Sequence, residues 1–150
     1  MSNHTHTVLI VDDEGTNLKL MEKVLSQHFA TRTASSGEEA IEVLKREHIS
    51  VLITDQCMPG INGTELLRTA QSMDPTIVGM LMTANNDVGV FIEALTQSGA
   101  IRIINKPWSP DDVIKATRAA VERYEALLKD REAIGRLKHA SRSLNRVMNR

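Results

Sequence analysis

Five short apolar segments alternate along the chain with segments of helical periodicity, and this alternation restricts the possible folds most strongly. The apolar segments are short, and several are rich in β-branched residues, so they predict buried strands. They cover residues 8–11, the weaker segment 29–34, and residues 51–53, 76–82 and 101–104. Strands that alternate with helices are typical of a parallel sheet with helices on both faces, which is a doubly wound α/β fold.

Connection rules restrict the strand order, and local signals predict the helix ends. Right-handed crossovers leave few topologies for five parallel strands, and one of them is the flavodoxin-like order 2-1-3-4-5. Residues 35–39 open a helix with a serine cap followed by acids. Asp87 is expected to cap a helix that ends near Gly99, and residues 109–112 open the last helix with a cap, a proline and acids.

Composition restricts the class of protein. The 150 residues and the net charge of −1 indicate one domain with a short appendage and favour no particular partner. Cys57 is the single cysteine, so we expect no intrachain disulfide and a reducing, cytoplasmic location. No apolar run reaches the ~20 residues of a membrane span. Residues 1–7 do not resemble a secretory signal, and the few aromatic side chains argue against a base-stacking surface.

Polar side chains follow four of the predicted strands. Asp12 and Asp13 follow the first, Asp55 the third, Thr83 the fourth and Lys106 the fifth. The carboxyl ends of parallel strands meet at the edge where open α/β sheets bind ligands. Carboxylates gathered there suit Mg²⁺, and a hydroxyl with an ammonium suits a phosphoryl group. A carboxylate can itself accept a phosphoryl group, and Asp55 stands between the others.

Each of these residues also has an ordinary interpretation. Asp12 and Asp13 are consistent with a helix cap, Thr83 with a plain strand end and Lys106 with a surface lysine. Their occurrence at the same predicted edge, each set on a different strand, favours a common site over four separate coincidences.

The strand-end residues belong to five short motifs, which are Val11-Asp12-Asp13, Asp55-x-x-Met58-Pro59-x-x-x-Gly63, Thr83-Ala84, Gly99-Ala100 and Lys106-Pro107. In these motifs the chain resembles the receiver domain of bacterial two-component response regulators. The resemblance covers about residues 7 to 125 and preserves both order and spacing. By this resemblance Asp55 is the phosphoacceptor, and the donor is a phosphohistidine on a sensor histidine kinase or phosphotransfer protein.

The resemblance also implies roles for the remaining site residues. Asp13, Asp55 and the backbone carbonyl of Cys57 are expected to ligate Mg²⁺, with Asp12 acting largely through water. Lys106 is expected to pair with the phosphoryl oxygens, and Thr83 to move toward the phosphoryl group when it arrives.

The sequence departs from the family pattern at one switch position. Ile103 stands three residues before Lys106, where many receivers carry Tyr or Phe, so an aromatic rotamer change is not expected here. Asn85 and Cys57 lie two residues after Thr83 and Asp55, and we expect both to flank the phosphoryl group, with Asn85 tuning its lifetime.

Trp108 follows Lys106 and Pro107, a sequence similar to receivers attached to HD-GYP-type cyclic-di-GMP phosphodiesterases or AAA-type transcription activators. The alternative interpretation, which we favour, is that Trp108 packs over the end of the sheet.

The last predicted helix continues from Ser109 to Asn149, and Gly135 is its only interruption. Apolar or neutral residues recur at heptad spacing from Val113 to Leu127, and the phase shifts near Leu137. The pattern predicts a parallel homodimer through this helix. We expect a disordered segment 1–6, a receiver domain 7–125 and a helical linker or coiled coil 126–150 that leads to an output module in a longer protein.

Two alternatives concern this extension. It is also consistent with a frayed tail, because Gly135 and an arginine in the seam weaken it. The basic residues after Glu132 are consistent with contact to nucleic acid, although a solvated face is the commoner explanation. We expect nucleic-acid binding only through an output domain.

Three functions compete. The favoured one is a signalling switch that accepts and loses its own phosphoryl group and acts on no separate metabolite, and therefore is not an enzyme in the usual sense. A Mg²⁺-dependent phosphohydrolase would need a second acid two residues after its nucleophile, where this chain has Cys57. An interaction protein with a vestigial site would be expected to have lost some of the five site residues.

Overall fold

The computed structural model describes residues 6–84, 89 and 100–148. Its elements are β1 (Thr7–Val11), α1 (Gly15–Leu25), β2 (Ala30–Ala34), α2 (Gly37–Arg46), β3 (Val51–Asp55), α3 (Gly63–Met73), β4 (Val78–Thr83), β5 (Ala100–Asn105) and α4 (Pro110–Met148). The helix expected between Asp87 and Gly99 falls almost wholly outside the described residues.

The five strands form one parallel sheet in the order β2-β1-β3-β4-β5. The prediction of a doubly wound sheet in the order 2-1-3-4-5 is therefore confirmed. Val11, the last residue of β1, pairs with Ala34 of β2 and with Thr54 of β3. Because of this register, the carboxyl ends of β1 and β3 lie side by side.

Alternate side chains of β1, β3 and β4 enter two separate apolar clusters, one on each face of the sheet. Val8 and Ile10 of β1 belong to the cluster that packs against α1 and α4. Leu9 and Val11 belong to the cluster that packs against α2 and α3. Strands covered on both faces need apolar residues at successive positions, which explains why the sequence shows continuous apolar runs here.

The starts of α2 and α4 follow the predicted chemistry, and the start of α1 does not. Ser36 caps α2 by accepting a hydrogen bond from the Glu39 N–H at 3.0 Å. Ser109 accepts a longer bond of 3.3 Å from the Asp112 N–H at the start of α4. The N-cap of α1 is Glu14, whose side chain makes no capping bond within the described part. Asp12 and Asp13 therefore do not cap α1, and the helix-cap interpretation of this pair is wrong.

Helix α4 is 39 residues long, or about 58 Å at the usual rise, and Gly135 does not interrupt it. Its first half is buried: Val113, Ala120 and Tyr124 belong to the apolar cluster shared with α1. The prediction that one heptad stripe from Val113 onward faces a dimer partner is therefore wrong for this half, because the domain's own sheet covers it. Ile134 and Leu137, further along, are 53% and 70% exposed.

Among the described residues, no helix combines the length and the apolar character that crossing a membrane requires.

Candidate functional site

The carboxyl edge of the sheet brings together the polar side chains that the sequence singled out. Asp12 directly follows β1, Asp55 ends β3, Thr83 ends β4 and Lys106 directly follows β5. The parallel register aligns these ends, since Asp55 pairs with Met82 and Thr83 pairs with Asn105. Asp12, Asp55 and Thr83 are only 2%, 7% and 5% exposed, whereas Asp13 is exposed.

Three carboxylates form one cluster at this edge. One carboxylate oxygen from each of Asp12, Asp13 and Asp55 lies within 4.8 Å of the other two. The Lys106 ammonium lies 3.0 Å from Asp55 Oδ1 and 3.8 Å from Asp12 Oδ2. The cluster is therefore only partly neutralised, because one ammonium faces three carboxylates.

Burial and charge act in opposite directions on the ionisable groups here. Burial raises the pKa of Asp12 above its ordinary value, although the Glu14 N–H, which donates to Asp12 Oδ1 at 2.9 Å, and the charge of Lys106 both act to lower it. Burial is also the largest single influence on Lys106 and acts to lower its pKa. The hydrogen bond to Asp55 and the surrounding carboxylates together outweigh burial and raise the pKa. Lys106 is therefore held in its charged form.

The donor set fits a hard divalent cation. Three carboxylates with converging oxygens match the oxygen ligands that Mg²⁺ uses in proteins, with room left for water. A cation at this position would relieve the repulsion among Asp12, Asp13 and Asp55, which Lys106 relieves only in part. Cys57, whose backbone carbonyl the resemblance assigns to the metal, lies in the loop that follows β3 at the same edge.

A backbone hydrogen bond joins Thr83, the last residue of β4, to Lys106. The Lys106 N–H donates to the Thr83 carbonyl oxygen at 2.9 Å, so the backbone extends the sheet up to the site. The Lys106–Pro107 peptide bond is cis. Thr83 is thus buried between the strands that carry Asp55 and Lys106.

The loop between β3 and α3 approaches the site closely. A Cβ on Gly63 would collide with the Asp55 carbonyl oxygen and lie 2.9 Å from Gln56 Cα, so only glycine fits there. Gly60 has a positive φ of 77°, a conformation that favours glycine. Gln56, which the sequence reasoning did not select, is buried beside Asp55, and its side chain binds the start of α3. The sequence did contain one signal for Gln56, since it is a polar residue that immediately follows a buried strand.

The remaining selected residues lie around the site. Ile103 of β5 is half-buried and packs against the cluster shared with α2 and α3. Trp108 is half-buried and packs against the opposite cluster, in agreement with the packing interpretation. Trp108 also lines an open pocket of about 460 Å³ together with Leu20 and Lys106. Asn85 lies outside the described residues.

Comparison with known proteins agrees with this geometry. The family model described as the response regulator receiver domain matches residues 8–118. The hydrogenase transcriptional regulatory protein HoxA of Cupriavidus necator is 37% identical over 122 residues, which cover 81% of this chain and 25% of that protein. The DNA-binding transcriptional regulator NtrC of Escherichia coli K12 is 29% identical over 119 residues, which cover 79% of this chain and 25% of that protein. The chain thus spans about a quarter of the length of these relatives.

Solved structures show the same architecture. A response regulator receiver domain protein from Clostridium thermocellum superposes with a TM-score of 0.76 at 29% identity, covering 81% of this chain and 98% of that one. A chain described as adenylate cyclase from Rhodopirellula baltica superposes with a TM-score of 0.83 at 30% identity, covering 87% of this chain and 97% of that one. Together with the match over residues 8–118, these similarities establish that the chain belongs to the family of response regulator receiver domains.

Proposed function

We propose that the Asp55 carboxylate accepts a phosphoryl group and that the charge of this group controls an output. The observation that carries the proposal is the contact of 3.0 Å between Asp55 Oδ1 and the Lys106 ammonium, inside a cluster of three carboxylates. Of the three carboxylates, Asp55 is the one that contacts Lys106 most closely. It is therefore the carboxylate on which a new phosphoryl group would meet a cation at once.

The proposed transfer moves the phosphoryl group from a phosphohistidine to Asp55. An oxygen of the Asp55 carboxylate forms a bond to phosphorus, and the bond between phosphorus and the imidazole nitrogen breaks. The imidazole leaves with the electron pair of that bond and takes up a proton. Lys106 then pairs with a phosphoryl oxygen, and the hydroxyl of Thr83 donates to another.

The cofactor of the proposal is Mg²⁺, held by Asp13, Asp55 and the backbone carbonyl of Cys57, with Asp12 acting largely through water. When bound, the ion supplies positive charge that neutralises the phosphoryl oxygens during transfer. The residues of the chain fix the position of the acceptor oxygen and keep the site partly closed to water, because Asp12 and Asp55 are almost fully buried.

The partners follow from this role. The donor is a sensor histidine kinase or a phosphotransfer protein, and the proposed location is the cytoplasm. The receiver domain is proposed to span residues 7–125, and residues 126–150 to link it to an output module. The names of the HoxA and NtrC relatives favour control of transcription as the output, with nucleic acid bound by that module rather than by this chain.

The second half of α4 is proposed to pair with a second copy of this chain in parallel. Four of its apolar residues, each more than half exposed, occupy seam positions of a heptad: Ile134, Leu137, Leu144 and Met148. In a parallel pair the flanking Lys138 faces Ala133 of the other copy, so like charges do not meet beside the seam. The arginines at 136, 142 and 146 fall on the outer positions.

The test uses the chain with acetyl phosphate and Mg²⁺. Intact mass spectrometry is expected to show one added phosphoryl group, and peptide analysis is expected to place it on Asp55. Asp55→Asn is the matched control and should remain unmodified. A phosphoryl group on another residue of the wild-type chain, or none with fresh donor and Mg²⁺, would overturn the proposal. The exposed thiol of Cys57 stands where a phosphohydrolase needs an acid, so that alternative gains no support.

A further inference from the structure

Gln56 occupies a buried position between the acceptor strand and helix α3. Its backbone N–H donates to the Met82 carbonyl oxygen at 2.9 Å, which fixes it to β4. Its backbone carbonyl oxygen accepts the Gly63 N–H at 3.0 Å. Its side-chain Oε1 accepts the Thr64 N–H at 2.9 Å, and its Nε2 makes a longer contact of 3.5 Å with Thr64 Oγ1.

These bonds satisfy the first N–H groups of α3, which have no partner within the helix. Among these N–H groups, the side chain of the N-cap residue Asn62 accepts that of Glu65, at 2.9 Å. Gln56 accepts from the two preceding N–H groups, one with its backbone and one with its side chain. The start of α3 is therefore attached directly to the residue after Asp55.

The two ends of the intervening loop, residues 57–62, are held together by this attachment. Thr64 is fully buried, and its hydroxyl donates to Asn62 Oδ1 at 2.9 Å. The hydrogen bonds between Gln56 and Thr64, which we call the clamp, are thereby connected to the N-cap residue of α3. The loop begins with Cys57, whose carbonyl is a ligand in the proposed metal site. A loop closed by hydrogen bonds at its base leaves that carbonyl little freedom to move away from Asp55.

We infer that Gln56 is a positioning residue: its side-chain amide, by clamping Thr64, holds the loop carbonyl in place for a divalent cation bound beside Asp55. This inference rests on the proposed function of the acidic site. A residue that orients a ligand indirectly contributes to metal affinity without touching the metal. The same hydrogen bonds attach the start of α3 to the residue that follows Asp55.

The test compares Mg²⁺ affinity in the full chain with Gln56→Met and with Gln27→Met. Methionine preserves the length of the side chain and removes both amide functions, and Gln27 is an exposed control for the same exchange. Titration calorimetry is performed at a temperature where circular dichroism shows each variant folded. Gln56→Met is expected to weaken Mg²⁺ binding about tenfold, as loss of an outer partner does, and Gln27→Met to bind like wild type.

Hydrogen exchange at the Thr64 amide provides the second readout. We expect faster exchange in Gln56→Met without Mg²⁺, because the acceptor of that amide is gone. Faster exchange of the Thr64 amide with unchanged Mg²⁺ affinity would show that Gln56 only caps α3, and it would overturn the inference. Unchanged exchange would also overturn it. Should Gln56→Met not fold, Gln56→Asn, one methylene too short to reach Thr64, replaces it with the same expected results.

The two proposals fail in distinguishable ways. A wild-type chain that binds no Mg²⁺ would overturn the inference on Gln56 together with the metal site. A wild-type chain that binds Mg²⁺ and is phosphorylated on Asp55, while Gln56→Met matches it in affinity, would overturn the inference alone.

Discussion

Lys106 contacts Asp55 at 3.0 Å although the strands that carry them are not neighbours. β4 lies between β3 and β5, so the lysine side chain extends over the carboxyl end of β4, where Thr83 is buried. Acceptor carboxylate, hydroxyl and ammonium therefore lie along three successive strand ends. Because these three groups are adjacent, a change in the charge of Lys106 is expected to affect the reactivity of Asp55.

Replacement of Lys106 tests this contact. Lys106→Met keeps the side-chain length and removes the charge, and we expect phosphorylation of Asp55 by acetyl phosphate to slow about 100-fold, the usual effect of losing one preorganised charge partner. The rate is followed by intact mass. Lys45→Met, an exposed lysine in α2, serves as control and should match wild type. Equal rates for the two variants would contradict a role for Lys106.

Because α3 closely approaches the strand that carries Asp55, we expect that substitution of Gly63 strongly destabilises the fold. Gly63→Ala adds a Cβ that would collide with the Asp55 carbonyl oxygen and the Leu81 side chain. We expect the free energy of unfolding to fall by about 2 kcal/mol or more. Gly135→Ala is the control, since a Cβ there meets nothing within 4 Å, and it should leave stability equal or higher. Urea denaturation of both variants measures the difference.

The hydrogen bonds at the start of α2 predict that the stability of the fold depends on pH. The Glu39 carboxylate accepts from Ser35 Oγ at 2.7 Å and from the Ser35 N–H at 3.1 Å, and these bonds hold the pKa of Glu39 below its ordinary value. A depressed folded-state pKa stabilises the fold above the unfolded-state pKa, and this contribution disappears as pH falls through the folded value.

Ser35→Ala should therefore raise the pKa of Glu39, as measured by NMR titration. Its loss of stability relative to wild type should be larger at neutral pH than in acid, where the carboxylate is protonated in both proteins. Ser72→Ala, which removes a hydroxyl that donates to the Thr69 carbonyl in α3, is the control. A Glu39 titration identical in wild type and Ser35→Ala would contradict the prediction.

The exposed half of α4 predicts an association that depends on its apolar residues. Leu137 and Leu144 are 70% and 60% exposed, and replacing both with Glu should abolish dimers in sedimentation experiments while leaving the domain folded. The domain should tolerate the change because α4 packs against it through its first half, which contains neither leucine. His139→Glu, on the outer face of the helix, should preserve association. A wild-type chain that stays monomeric at high concentration would exclude this interface.

The strands and the site residues were predictable because their signals are local. A strand covered on both faces needs an apolar run, and a parallel sheet gathers the residues that follow such runs at one edge. Asp12, Asp55, Thr83 and Lys106 each follow or end a strand, so their positions in the sequence were enough to place them together. The half-polar strand β2 was the weakest signal, because it carries fewer buried residues.

Two features depended on contacts that a pattern in the sequence does not specify. A heptad stripe indicates that one helix face is apolar but not which surface covers it, and the sheet covers α4 up to Tyr124. The Gln56 side chain had several possible partners, and only the packing of α3 against β3 brings the Thr64 N–H to 2.9 Å from it. The sequence by itself determined the fold class and the chemical groups at the sheet edge, and it restricted the strand order to a few topologies. The tertiary structure decided which of these groups touch and which helix face stays exposed, because those outcomes depend on distances between segments far apart in the chain.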